Sequence, residues 1–159
     1  MGVTGCGKST IGRLLAGALD VPYEEGDELH PAANIAKMAA GQPLDDNDRA
    51  PWLAAVADWI AEHAAGGGVI SCSALKYRYR ERLRQGDASV WFLHVDVDRE
   101  TIVRRVSERK GHFMPVSLVD SQFAALEPLR PGESGEAIDG TQAPEEILAE
   151  AVRDLSARA

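Results

Sequence analysis

Apolar positions recur at helical spacing from Lys8 to Leu19, where Ile11, Leu14, Leu15, Ala18 and Leu19 fall together before Asp20 and Pro22 end the run. This predicts a helix that opens directly from a glycine-rich segment. Tyr23 to Glu25 reads as a short strand, Gly26-Asp27 as a turn, and Pro31 to Ala40 as a second helix closed by Gly41. Pro51 suits the first turn of a third helix, with Trp52, Val56 and Ile60 on one face; Asp45, Asp46 and Asp48 ahead of it read as a charged turn. Gly66-Gly67-Gly68 ends that helix and releases Val69-Ile70-Ser71-Cys72, a short apolar run expected to be a buried strand.

Lys76 to Arg84 reads as a helix, and Val90 to Val95, rich in aromatic and β-branched residues, is the strongest strand signal in the chain. Asp98 then caps a helix that turns Ile102, Val103 and Val106 inward and ends in Arg105, Arg109, Lys110 and Gly111. Gly111 to Pro115 breaks it, Val116 to Leu126 forms another helix, and Pro128 to Gly135 is a loop. Ala137-Ile138-Asp139 is a weak last strand before a closing amphipathic helix, Pro144 to Leu155. Strands that alternate with helices predict an α/β fold built on a mainly parallel sheet.

The length of 159 residues suits one domain. The longest apolar run, Trp52 to Ala57, is six residues, far short of a membrane span. With no basic-then-apolar leader and only two cysteines, neither spaced as a redox pair or zinc site, a cytoplasmic protein is expected. A net charge of −8 argues against broad attraction to nucleic acid or anionic lipid. The charge is uneven, however. Lys76 to Lys110 holds ten basic and six acidic residues, so a local positive site for a small anionic ligand is expected within an acidic protein.

The candidate chemistry begins at Gly2-Val3-Thr4-Gly5-Cys6-Gly7-Lys8-Ser9, the glycine pattern of a phosphate-binding loop. Its glycines permit backbone angles that turn successive N–H groups into one concavity at a helix N-terminus. Lys8 would bring a point charge to the β and γ phosphates of ATP, and the Ser9 hydroxyl is a hard oxygen suited to Mg²⁺. Thr10, next on the helix, belongs with the nucleotide contacts. Such a loop normally follows a buried strand, so a strand upstream of Gly2 is expected in the natural protein. Its loss would leave neighbouring strand edges unpaired and forfeit hydrogen bonds worth about 1 kcal/mol each. Asp27, just after a short strand, is the candidate to orient or deprotonate an attacking hydroxyl. His30, Lys37 and Arg49 follow on elements facing the same cleft, and Arg49 offers a two-point fork for a carboxylate.

Longer blocks then narrow the reading. Gly26-Asp27-Glu28-Leu29-His30-Pro31, Asn34-Ile35-Ala36-Lys37-Met38, Gly41-Gln42-Pro43-Leu44-Asp45-Asp46 and Asp48-Arg49-Ala50-Pro51-Trp52-Leu53 resemble the signature of the bacterial gluconate kinases of the phosphate-loop type. Ser71 to Lys76 with Tyr79-Arg80, Arg109 to Pro115, Ser121-Gln122-Phe123 and Leu126-Glu127-Pro128 extend the match from Gly2 to about Pro128. The resemblance implies a five-stranded parallel sheet, a mobile lid within residues 109–128, and transfer of the ATP γ-phosphoryl group to the 6-hydroxyl of D-gluconate with Mg²⁺. It further implies that Arg109, with Lys110 behind it, neutralises the transferring group, that Arg105 lies against adenine, and that Ser73, Lys76, His30, Arg49 and Gln122 contact gluconate. Such kinases are often homodimers. The phosphate loop alone leaves open a kinase of another small hydroxy acid, such as shikimate, and a non-catalytic nucleotide-binding protein.

Overall fold

The computed structural model describes residues 1–109 and 115–158. Helix α1 (Lys8–Leu19) leads to β1 (Tyr23–Glu25), a 3₁₀ turn (Gly26–Leu29), α2 (Ala32–Ala39) and α3 (Asp46–His63). Then come β2 (Val69–Ser71), α4 (Tyr77–Arg84), β3 (Phe92–Asp96), α5 (Arg99–Glu108), α6 (Val116–Ala125), β4 (Gly135–Asp139) and α7 (Pro144–Ser156). The expected α/β alternation is present, and every pairing among the described strands is parallel.

The strands form two pairs where a five-stranded sheet was expected. β1 runs beside β2, with Glu25 opposite Ser71, and β3 runs beside β4, from Phe92 opposite Gly135 to Asp96 opposite Asp139. Between β2 and β3 the first residues of the chain are the connection. Met1 donates its amino group to the Leu93 carbonyl and accepts from Val95 N at 3.0 Å, while Gly2 N donates to Ser73 O at 3.2 Å. A cavity of about 280 Å³, lined in part by Ile11, Leu15, Ile70 and Leu93, lies there.

Two apolar clusters cover the strands. Ile11 and Leu15 of α1, Ile102 and Val106 of α5, and Ile147 and Ala151 of α7 close on Val95 and Ile138. Trp52, Val56 and Ile60 of α3 and Leu83 of α4 close on Phe92 and Cys72. Burying these side chains at about 25 cal/mol per Å² is the main force holding helices to strands.

Two expectations need correction at element ends. α3 starts at Asp46, five residues before Pro51, because Asp45 and Asp48 form a reciprocal cap: Asp48 N donates to Asp45 Oδ1 at 2.8 Å and Asp45 N to Asp48 Oδ2 at 3.0 Å. Pro51 therefore sits inside the helix, where its ring nitrogen has no hydrogen for the Asn47 carbonyl. β3 begins at Phe92 rather than Val90, because Val90 N closes a turn onto Asp87 O before pairing with β4 starts.

Candidate active site

Gly7 caps α1 at φ 107°, a left-handed angle costly for residues with a Cβ, and Gly5 holds φ 76°. No side chain caps α1, so its leading N–H groups are not claimed by a capping side chain. The Lys8 ammonium donates to the Val3 carbonyl at 2.9 Å and thus lies back across the loop. Arg105 donates to Cys6 O at 3.4 Å and Gly140 O at 3.0 Å, which joins α5, the phosphate loop and the β4–α7 turn at one point. Thr10 is exposed on the first turn of α1. Arg109 is exposed at the C-terminal cap of α5, and Lys110 lies outside the described residues.

A second cavity, about 90 Å³, opens beside the loop. Thr4 and Lys8 line one part of it, and Asp27, His30, Arg49, Ser73 and Gln122 are among the residues that line the rest. Close packing sets Asp27 there. Gly26 approaches β2 so tightly that a Cβ would lie 2.2 Å from the Ser71 carbonyl oxygen, and Trp52 Nε1 donates to Gly26 O at 2.7 Å. His30 stacks on Trp52 with ring centres 4.3 Å apart and planes 12° from parallel. Burial, then the Arg49 charge, lowers the His30 pKa against the opposing pull of Asp27. Gln122 also serves the loop, since its Oε1 accepts from Thr4 N at 2.7 Å. Ser73 precedes Ala74, a buried non-glycine residue at φ 44°. That strained angle is held by Arg80, which donates to the Ala74 carbonyl at 3.1 Å.

Lys76 is placed differently. It pairs with Asp46 at 3.3 Å and does not line the cavity; Arg78 and the Tyr79 hydroxyl converge on the same carboxylate. Arg80, one helical turn beyond Lys76, is wholly buried against Glu133. Much of the positive segment is thus engaged within the fold: Arg84 pairs with Glu81 and Arg99 with Asp120. Arg105 is the one of these that reaches the loop. Lys37 is likewise held by Asp48, at 2.8 Å.

Glu25 was missed by sequence reasoning. Ser71 donates to its Oε1 at 2.5 Å and Tyr23 to its Oε2 at 2.8 Å. Burial pushes its carboxyl pKa up, but hydrogen bonds from Ser71, Ser9 and Tyr23, with Arg13 nearby, outweigh burial and hold it below its ordinary value. The end of β1 therefore supplies a carboxylate within reach of the Ser9 hydroxyl. Met38, Leu44, Leu118 and Ser121 also line the 90 Å³ cavity, and none of them was singled out as a site residue from the sequence. Among the described residues no group of three His, Cys, Asp or Glu side chains could hold a metal ion, and no helix is long and apolar enough to cross a membrane.

A profile of the shikimate kinase family matches residues 4–154. The chain is 46% identical over 159 residues to a gluconokinase from Gluconobacter oxydans, covering 99% of this chain and 89% of that one. It is 50% identical over 129 residues to the thermosensitive gluconokinase of Escherichia coli, covering 80% of this chain and 69% of the relative. Among solved structures, an unliganded sugar kinase from Janibacter sp. superposes with a TM-score of 0.93 at 46% identity, covering 98% of this chain and 91% of the other. A gluconokinase from Sinorhizobium meliloti superposes with a TM-score of 0.85 at 43% identity, covering 100% and 90%. The phosphate loop, the Asp27 cleft and these likenesses agree: the chain belongs to the shikimate kinase family, among its gluconokinases.

Proposed function

We infer that this ATP-dependent small-molecule kinase transfers the γ-phosphoryl group of ATP to the 6-hydroxyl of D-gluconate. One observation carries the reading. A single cavity is lined by Thr4 and Lys8 of the phosphate loop and by Asp27, His30, Arg49 and Ser73, so a phosphate donor and a polyol acid would meet there. Relatives named as gluconokinases supply the substrate.

In this reading Asp27 orients the attacking hydroxyl or takes its proton, which passes from substrate oxygen to carboxylate as the new O–P bond forms and the bond from the γ phosphorus to the β–γ bridging oxygen breaks, releasing ADP. Lys8 leaves the Val3 carbonyl to meet phosphate oxygens, while the loop N–H groups hold the phosphates in place. Arg49 grips the substrate carboxylate by its fork, and Ser73 and His30 bind hydroxyls along the chain. Arg109 neutralises the transferring group when the lid that begins at Arg109 closes over the cleft, and Arg105 lies against the base. Mg²⁺ fits the oxygen donors present: the Ser9 hydroxyl and the Glu25 carboxylate would hold it, with phosphates and water completing its shell. When bound it would neutralise phosphate charge. A homodimer in the cytoplasm is the state we propose for the active enzyme.

A coupled ADP-release assay tests the reading by offering ATP with gluconate, shikimate or nucleoside monophosphates. ADP release accelerated by gluconate alone is expected. Release indifferent to gluconate, or driven by shikimate or a nucleotide, would refute it.

A further inference from the structure

His30 has two ring nitrogens, and the fold leaves only one of them free to serve a ligand. Asn34, a residue 3% exposed on α2, approaches Nδ1 of His30 with its side-chain nitrogen at 3.2 Å. The same nitrogen donates to the Asp48 main-chain carbonyl at 2.8 Å. A carbonyl oxygen can only accept, so this second bond fixes which end of the Asn34 amide is the NH₂ group. An NH₂ facing Nδ1 can only donate, and Nδ1 must therefore offer a lone pair. The proton of the neutral imidazole is then on Nε2.

We propose that Asn34 is a positioning residue that locks His30 as the neutral Nε2–H tautomer, presenting a hydrogen-bond donor to an acceptor oxygen of the polyol substrate. The stack on Trp52 fixes the ring plane and the Asn34 bond fixes its rotation about that plane. Among the described residues Nε2 has no hydrogen-bond partner, and His30 lines the cavity shared with Asp27 and Arg49. Protonation of Nδ1 would set an N–H against the Asn34 NH₂, so the lock opposes the imidazolium form as burial and Arg49 do. His30 is thereby a donor and not a base, which leaves Asp27 alone to receive the hydroxyl proton. The hold on Asn34 comes from α3: Asp48, whose carbonyl anchors the amide, is the residue that closes the cap with Asp45. The start of α3 thus sets the protonation state of a side chain on a different element.

The identity of the oxygen that meets Nε2–H rests on the gluconate reading, whereas the tautomer does not. Long-range ¹⁵N–¹H correlation spectra of the substrate-free wild-type protein at pH 7 should show His30 with Nδ1 unprotonated and Nε2 protonated. A protonated Nδ1, neutral or charged, overturns the lock. Asn34→Asp replaces the donor with an acceptor and should move the His30 proton to Nδ1; an unchanged Nε2–H signature in a folded variant overturns Asn34's part. For the donor's role, His30→Gln places an amide N–H near the site of Nε2, whereas His30→Asn places it near Nδ1. KM for gluconate should rise at least fivefold more in His30→Asn than in His30→Gln, with kcat changed less than KM. Equal effects overturn the donor role. Wild-type protein that never turns over gluconate overturns the proposed reaction, while the spectra still decide the lock.

Discussion

Replacing Glu133 with glutamine should destabilise the protein by about 3–5 kcal/mol, the usual cost of breaking a buried ion pair from one side. Arg80 is 0% exposed and Glu133 has a side chain only 4% exposed. The guanidinium meets both carboxylate oxygens, Nε to Oε1 at 2.7 Å and Nη2 to Oε2 at 2.8 Å. Its other N–H groups go to the carbonyls of Ala74, Leu75, Glu127 and Pro128, at 3.1, 3.3, 3.1 and 3.2 Å. Glutamine keeps the shape but turns an NH₂ toward a guanidinium that has no water to retreat to. At roughly 2–4 °C per kcal/mol for a chain of this size, Tm should fall by about 10 °C. The effect should also carry a pH signature. The Arg80 hydrogen bonds hold the Glu133 carboxyl below its ordinary value of 4.5, against the upward push of burial. Between the native and unfolded pKa values the unfolded chain binds the extra proton, so this stabilisation is complete above about pH 4.5 and is lost as pH falls through the native value. Urea denaturation of wild type and Glu133→Gln at pH 7, and at steps below pH 4.5, measures both quantities. A difference under 1 kcal/mol at pH 7, or one that does not narrow in acid, would refute the assignment of Arg80 and Glu133 as a coupled buried pair.

Asp27→Asn should lower kcat at least 100-fold while a fluorescent ATP analogue still binds, since general acid–base and orienting groups typically contribute 10²–10⁴; steady-state kinetics with a binding titration checks both, and retained turnover removes Asp27 from the chemistry. Trp52→Phe leaves the Gly26 carbonyl without its 2.7 Å donor and should cost about 1–3 kcal/mol in chemical denaturation. It should also raise KM for gluconate, because His30 loses part of its stacking surface and Asp27 its neighbour's anchor. Cys72 is buried and its thiol pKa is pushed up to about 12 by desolvation, so it should resist thiol reagents at pH 8 until the protein unfolds. Reagent titration with and without denaturant reads this directly, and rapid labelling of the native protein would contradict it.

The parts of the site set by local chemistry were legible in the sequence. The loop from Gly2 to Ser9, the helix behind it and the candidate acid Asp27 follow from short-range rules about glycine angles, helix starts and phosphate binding. The parts set by distant pairing were not. Asp46 and Lys76 are thirty positions apart, and no pattern along the chain tells that the lysine is engaged by α3 rather than by a ligand. Glu25 was passed over because nothing in the spacing sets it apart from Glu24 beside it on a three-residue strand; its significance comes from the register that sets it opposite Ser71. The charged turn at Asp45 to Asp48 was misread because a reciprocal cap made of two aspartates lacks the usual Ser or Thr and Glu.

That misread turn organises the substrate side of the cleft. Asp45 and Asp48 start α3, and the first turns so created carry Arg49 into the cavity and Trp52 beneath Gly26 and His30. Asp48 also holds Lys37 by its carboxylate and Asn34 by its carbonyl, which ties α2 to the same turn. The phosphate side depends on a separate clasp. Arg80 holds the strained Ala74 and the carbonyl of Leu75, and Leu75 in turn accepts from Glu127 N at 2.8 Å just beyond α6, the helix whose Gln122 reaches Thr4. Ser73 lies between the two systems, with its carbonyl on Gly2 and its side chain lining the cavity. Damage to the α3 cap should therefore appear first in KM for the acceptor, whereas damage to the Arg80 clasp should disturb the phosphate loop and the acceptor site together.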